Sequence, residues 1–340
     1  MKRTLAILIA LAMSVMMLTA CGSKDGTSGT PDNSGDADQT STGSYPGNKN
    51  VTLYCGYSAG GSSDTLCRLL AAKVGEKLGT TVTVENVTGA SGWVMWNQMM
   101  ESTKPDGYSF FLINSPNVTT GKYDPDNTMK YDQNDFEMIC NEVTDSNCLA
   151  IRVDDDRYSD WDSFAAYWQQ EGSLITSASG LGITSDDATA DMLVANDLGV
   201  DVDIIASGGS GDNVTFLLNG TTDFLMGNVS EMVAAHNDGQ FKILCVFAEE
   251  RDSNLPDVPT YEELSGNLVV GCSSRGYAML KDVPDDIKQI LGDAVKAAVQ
   301  DPDLIEQLNA IYTTTDYKEG QEYVDYMNQQ QQQARETWGV

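Results

Sequence analysis

The sequence predicts an α/β protein of two lobes with a cleft between them. Three observations point there. Strand-like and helix-like segments alternate in two separate stretches, one starting at Val51 and one near Trp161. Short Gly/Ser loops follow strands in both stretches, at 56–63, 179–182 and 207–211. A chain of 340 residues at 41% hydrophobic composition also has enough apolar side chains for about two cores. Ligands of open α/β sheets sit beyond the carboxyl ends of strands, where these three loops fall.

Taken in order, Val51–Cys55 reads as a buried strand and 56–63 as a loop. Asp64 is placed to cap a helix whose stripe is Leu66, Leu70, Val74 and Leu78, with Gly79 as its end. Thr81–Glu85 is β-branched except at its end and predicts a strand. Gly89–Gly92 opens a helix containing Trp93, Trp96 and Met99, and Pro105-Asp106-Gly107 turns into the strand Tyr108–Ile113. This order predicts a parallel sheet with right-handed crossovers. Phe136–Glu142 and Leu149–Val153 read as a strand pair. The second stretch predicts a strand at Ser173–Ser177, a helix at Asp187–Leu198 and a strand at Asp201–Ala206. Asp212 is placed to cap a helix over Asn213–Asn219, with strands at Asp223–Met226 and Phe241–Phe247. Helices follow at Asp285–Gln300, Pro302–Ile311 and Gly320–Glu336. The expected lobes are 51–150 with 273–340, and 151–272.

The N-terminus reads as an address. Lys2 and Arg3 precede an apolar run from Leu5 to Leu18, shorter than the roughly 20 residues of a spanning helix. Its ending, Leu18-Thr19-Ala20-Cys21, resembles the bacterial lipobox, so residues 1–20 are expected to be a lipoprotein signal peptide and Cys21 the lipidated residue. Residues 21–50, rich in Gly, Ser, Thr, Asp and Asn, read as a disordered tether. The expected location is the extracytoplasmic face of the cell membrane, reached through lipid.

Composition narrows the function classes. With 20 Lys+Arg against 50 Asp+Glu the net charge is −30, which repels phosphate backbones and excludes general nucleic-acid binding. No Cys-x-x-Cys pair occurs and His236 is the only histidine, so a zinc site is not expected. Asp124, Asp126 and Asn127 suggest a calcium loop but lack its Gly and its final Glu. Walker and dinucleotide-binding glycine patterns are absent, and no metal or cofactor is expected. A Cys140–Cys148 bridge is left open, whereas Cys55 and Cys245 read as small buried hydrophobes.

Gly56-Tyr57-Ser58-Ala59-Gly60 matches the Gly-x-Ser-x-Gly elbow of serine hydrolases, between strand and helix as that motif requires. Its base would have to be His236, which sits beside the turn signature Asn237-Asp238-Gly239. The second reading of the same loop needs no catalysis. A strand, a Gly/Ser loop and a helix start bring several backbone N–H groups and a positive dipole end to one point, which holds a carboxylate. The elbow follows the first strand of the domain, with no upstream sheet or oxyanion loop, and His236 reads as a solvated helix-end residue, so the carboxylate nest is the reading adopted and a secreted serine hydrolase using Ser58 is its alternative.

The run Gly56-Tyr-Ser-Ala-Gly-Gly-Ser-Ser-Asp64 through Ala72, then Val82–Asn86, Gly89–Gly92, Pro105–Tyr108, Tyr131–Phe136, Gly208-Gly-Ser-Gly211, Leu217-Leu-Asn-Gly220 with Asp223, and Leu255–Thr260 resembles the Bug/TctC family. These are extracytoplasmic solute receptors of tripartite tricarboxylate transporters. The resemblance implies a periplasmic-binding-protein-like fold that closes on a small organic carboxylate and passes it to membrane permease subunits, as a monomer and not as an enzyme. It places the ligand carboxylate at Tyr57, Ser58, Ala59, Gly60, Gly61 and Ser62, with Asp64 organising the loop. The opposite lobe would contribute Ser179, Gly180, Leu181 and Gly182, and Ser207, Gly208 and Gly209, with Asn114 and Ser115 beside the cleft. Two departures bear on the ligand. A family His after Gly182 is matched by Asp187, and an aromatic before the last crossover is replaced near Ser274-Arg275. Arg275 either meets a second ligand carboxylate or forms a surface ion pair.

Overall fold

The computed structural model describes residues 45–124, 129–178 and 182–340. The first lobe opens with β1 (Val51–Cys55), α1 (Ser62–Leu78), β2 (Val82–Asn86), α2 (Trp93–Ser102) and β3 (Ser109–Ser115). β1 lies between β2 and β3, parallel to both. α1 buries Leu66, Leu70 and Val74, its i+4 stripe, and stops at Gly79 in the left-handed conformation. The short α3 (Asn117–Thr120) leads to β4 (Phe136–Arg152), a strand of 17 residues.

β4 corrects the expected strand pair, because one continuous strand spans both segments. The polar residues between them look like a turn in the sequence but are buried with partners. Asn141 Nδ2 donates to Asp316 O at 2.7 Å, and Asn147 Nδ2 donates to Asp187 Oδ1 at 3.1 Å. A Cys140–Cys148 bridge is therefore ruled out. Both lie on β4, about 27 Å apart at ~3.4 Å per residue, far beyond disulfide reach. The six cysteines from Cys55 to Cys272 are free and buried.

The chain continues through α4 (Trp161–Glu171), β5 (Ser173–Ala178), α5 (Asp186–Leu198), β6 (Asp201–Ala206), α6 (Ser210–Leu218), β7 (Leu225–Asn228), α7 (Val229–Asn237) and β8 (Phe241–Val246). Then come α8 (Tyr261–Ser265), β9 (Cys272–Leu280), α9 (Asp285–Val299), α10 (Pro302–Asn309), β10 (Thr315–Glu319) and α11 (Gly320–Trp338). Among the strands of the described residues, parallel pairing is found in β2-β1-β3 and β5-β6, with one isolated parallel bridge between Val246 and Thr260. The first stretch thus forms the expected parallel sheet, and the second keeps parallel pairing only in β5-β6: β9 pairs antiparallel with β3 and β4, and β4 also pairs antiparallel with β10, β7 and β8. β4 thus pairs with β9 as far as Ser146 and with β7 from Asn147.

Alternation along β4 feeds two cores. Leu149 and Ile151 pack with Trp161, Phe164 and Trp168 of α4, whereas Cys148 and Ala150 pack with Leu217 and Val233 on the other face. In the first lobe Leu53, Leu66, Leu70 and Leu291 form one core, and Trp93, Trp96, Phe111 and Tyr323 another. Each fully buried side chain of this size contributes about 1.5–3 kcal/mol. Helices on both sheet faces leave the strand ends as the free edge of each lobe.

Candidate functional site

Two of those strand ends carry the same device. Gly60-Gly61-Ser62-Ser63-Asp64 starts α1 and Gly208-Gly209-Ser210-Gly211-Asp212 starts α6. Neither Asp is the cap expected of it. The helices begin earlier, at Ser62 and Ser210, with Gly61 and Gly209 as N-caps. Each Asp instead turns back from the third helical position. Gly60 N–H donates to Asp64 Oδ2 at 2.8 Å, and Gly208 N–H to Asp212 Oδ2 at 2.9 Å. Gly60 and Gly209 have φ of 84° and 145°, which only glycine adopts readily.

Like α2, α7, α9 and α11, neither helix start has a side-chain cap, whereas Asp160, Ser185, Thr260 and Asp301 cap α4, α5, α8 and α10. Gly209 O takes the Asp212 N–H at 2.9 Å, and the N–H groups of Ser62 and Ser63 in α1 and of Ser210 and Gly211 in α6 are left for another acceptor. Asp64 also accepts from Arg68 Nε and Asn86 Nδ2, each at 2.8 Å. Burial opposes its charge, but the bonds from Arg68, Gly60 and Asn86 outweigh that and hold the carboxyl below its usual range.

Both helix starts border one cavity of about 260 Å³. Tyr57, Ser62, Ser63, Ser91, Asn114 and Asn117 line it from one side. Thr184, Ser185, Asp186, Gly208, Gly209, Ser210, Asn228 and Glu231 line it from the other, and Ser273 and Arg275 of β9 close it. Ser91 sits at φ 51°, after Ala90 at 45°, and its carbonyl accepts from the Tyr57 hydroxyl at 3.2 Å. Two adjacent non-glycine residues in that region store strain at the cavity wall.

Arg275 is 4% exposed, so its ion pair is no surface pair. Nη1 lies 3.6 Å from Asp145 Oδ2, and Nε has no hydrogen-bond partner. Burial works against the guanidinium charge, but Asp145, Glu231 and Asp186 outweigh it and hold the proton on more firmly than usual. Asp145 is pushed up to about 6 by burial, although Arg275 and the Ser230 hydroxyl and N–H favour its charged form. Asn114 Oδ1 is a second buried polar atom without a partner.

Of the residues expected at the site, Tyr57, Ser62, Asn114, Gly208, Gly209 and Arg275 line the cavity. Ser58, Ala59, Gly60 and Gly61 are exposed on the α1 loop, with Ser58 O accepting from Gly61 N–H at 3.3 Å. The Ser115 hydroxyl faces away and donates to Gln330 Oε1 at 2.8 Å. The Ser207 hydroxyl donates to Ala178 O at 3.1 Å, bracing the α6 loop. Gly182 begins the turn that brings Thr184 and Ser185 to the wall. Ser179, Gly180 and Leu181 lie outside the described residues, as do Cys21, the signal and most of the tether, and Asp126 and Asn127.

Asp187 is buried behind the wall and Asp186 stands on it. As site residues, sequence reasoning missed Ser63, Ser91, Asn117, Thr184, Ser185, Asp186, Ser210, Asn228, Glu231 and Ser273. For Asp186, Asn228 and Glu231 the available signal was a helix start, since Ser185 caps α5 and Asn228 precedes α7; Ser91 and Ser273 carry no such signal. A second cavity, of about 230 Å³, lies between α5 and α11 and shares only Asp186 with the first. Its walls include Leu193, Val270 and Gln330 but no cation, so it offers an anion little.

The hydrolase reading fails in the structure. Ser58 faces solvent, and His236 Nδ1 accepts the Ile243 N–H at 3.2 Å, which occupies the nitrogen a triad carboxylate would orient. What remains is a two-lobed solute-binding protein: a polar cleft with helix starts on its walls and, among the described residues that line it, no histidine to serve as a base. The model of the tripartite tricarboxylate transporter family receptor, TctC, matches residues 66–337, and the chain belongs to that family. Its members are extracytoplasmic receptors and not enzymes.

Among curated relatives, a UPF0065 protein from the gbd 5' region of Cupriavidus necator is 29% identical over 281 residues, covering 81% of this chain and 82% of its own. Among solved structures, MatC from Rhodopseudomonas palustris with bound malate has a TM-score of 0.69 at 23% identity, covering 85% of this chain and 98% of its own. Another R. palustris protein, with adipate, has a TM-score of 0.75 at 21% identity, covering 87% and 99%. No helix among the described residues is long and apolar enough to cross a membrane.

Proposed function

We propose that this receptor captures a small organic carboxylate in the cavity between its lobes and delivers it to a membrane permease. The observation that carries this reading is the convergence of two uncapped helix starts and the unpartnered Arg275 Nε on one cavity. A carboxylate has acceptors for all of them, and each charge-assisted hydrogen bond contributes about 1.5–3 kcal/mol. Malate and adipate in two proteins of the same fold support the class of solute.

The lobes, taken as 51–150 with 273–340 against 151–272, would close on the solute because only the closed form engages both helix starts at once. Lipid on Cys21 would hold the receptor, as a monomer, at the outer face of the membrane through the 21–50 tether. Calorimetric titration with carboxylates and their carboxamides tests the binding. Carboxylates should bind and the neutral amides should not, and equal affinities would refute the reading. Cys21→Ser should release the protein from the membrane fraction and remove the lipid mass. A variant that stays membrane-bound would refute the anchor.

A further inference from the structure

We infer that the solute carries a cationic amine beside its carboxylate, the amine resting against Glu231 and Asp186. This rests on the carboxylate reading above and adds the class of solute to it. The argument starts from the charges on the wall. Arg275 is the one cationic side chain lining the cavity among the described residues, and Asp186 and Glu231 are acids that line it too. Asp145 stands directly behind Arg275, 3.6 Å from its guanidinium. Arg275 is therefore answered before any ligand arrives, and the wall is net negative.

A ligand with only negative groups would face Asp186 and Glu231 with no cation left to offset them. An ammonium reverses the sign of those contacts. Both acids are fixed in place. Asp186 Oδ2 accepts the side-chain amides of Asn147 and Asn228 at 3.1 and 3.0 Å, and Glu231 Oε2 accepts the Ser210 hydroxyl at 2.5 Å. The Ser210 bond also links Glu231 to the start of α6, where the carboxylate would sit.

Two orphaned atoms, on residues paired across β3 and β9, add an independent observation. Arg275 Nε is a buried donor without an acceptor, and Asn114 Oδ1 a buried acceptor without a donor; their residues are 4% and 8% exposed. Buried polar atoms are rarely left unpaired, so each marks a missing partner. A plain carboxylate can answer Nε but has no donor for Asn114. An ammonium brings N–H donors, which Asn114 Oδ1 and the two acids lack and a plain carboxylate does not supply.

The test is calorimetric titration of the mature receptor with matched pairs that differ only in the amine: succinate and aspartate, glutarate and glutamate, propionate and β-alanine. In the pair the cavity accepts, the amine-bearing member should bind at least about tenfold more tightly. Glu231→Gln should bring that ratio towards one, and Asp186→Asn should lower it. Melting of the unliganded variants shows whether they fold, and the wild-type ratio decides independently of them. Amine-free members that bind as well or better would overturn this inference and leave the carboxylate reading standing. Binding by no member of either series would overturn both. A preference unchanged in both folded variants would overturn the assignment of the amine to these acids.

Discussion

Replacing Arg275 with Met removes the charge and keeps most of the volume of a side chain that is 4% exposed. Its consequences split by pH, because the residue has two partners. Towards the solute, losing a charge-assisted bond should weaken carboxylate binding by about 1.5–3 kcal/mol, or roughly ten- to a hundredfold. Towards the fold, the change strands Asp145, which is 7% exposed. The stranded carboxylate escapes by protonating. In the wild type that costs, at pH 8, the two pH units separating pH 8 from its value of about 6. At about 1.4 kcal/mol per unit, the charge-dependent destabilisation is capped at about 3 kcal/mol.

At pH 5 the wild-type Asp145 already holds its proton, and that part of the loss vanishes. Urea unfolding of wild type and R275M at pH 5 and pH 8 measures the difference. A stability loss larger at pH 8 by about 1–3 kcal/mol is expected. The same loss at both pH values would refute the reading that Arg275 holds the Asp145 carboxylate in its charged form against burial.

Three further outcomes follow from the same geometry. Carboxylate affinity should rise as pH falls from 8 to 5, by no more than about a hundredfold, because protonating Asp145 removes a charge beside the bound anion. Arg275 and Glu231 also face Asp145, and titration calorimetry across that range reads the sum; an affinity that falls instead would contradict it. Glu142, fully buried with Oε1 unpartnered, is raised from 4.5 to about 7 by burial, against the favourable Tyr277 hydroxyl bond. Its contribution to stability is present below pH 4.5 and lost as pH rises through about 7, so Glu142→Gln should gain up to about 3 kcal/mol on wild type between pH 4 and pH 8 in denaturant melts. Gly208→Ala would set a Cβ 2.5 Å from Asp212 Oδ2 and displace the carboxylate from the Gly208 N–H, whereas a Cβ at Gly211 meets nothing within 4 Å. Binding should drop about tenfold or more in the first, while the second should gain a few tenths to ~1 kcal/mol of stability.

The sequence makes the local devices readable and hides the long-range ones. The Leu66, Leu70 and Val74 stripe, the Gly79 stop and the Gly/Ser loops follow from spacing and backbone freedom, which neighbours along the chain determine. The polar stretch inside β4 and the start of β9, Cys272-Ser273-Ser274-Arg275, look like loop in composition. They are strands because Asn141, Asn147 and Asp145 find partners on β10, α5 and α7, far away in sequence. The site divides the same way. Tyr57, Ser62, Gly208 and Gly209 belong to a motif visible in the chain. Asp186 and Glu231 face the cavity only because α5 and α7 are set there by packing on β4 and its neighbours. Arg275 was visible as a departure from its family, but the charges that surround it were not.

The most direct measurement is a structure of the receptor with its carboxylate bound. One carboxylate should lie within hydrogen-bonding distance of the first N–H groups of α1 and α6 and of Arg275 Nε, with the lobes closed around it. A carboxylate seated in the second cavity, between α5 and α11, or one that leaves Arg275 Nε without a partner, would contradict the proposed mode of capture.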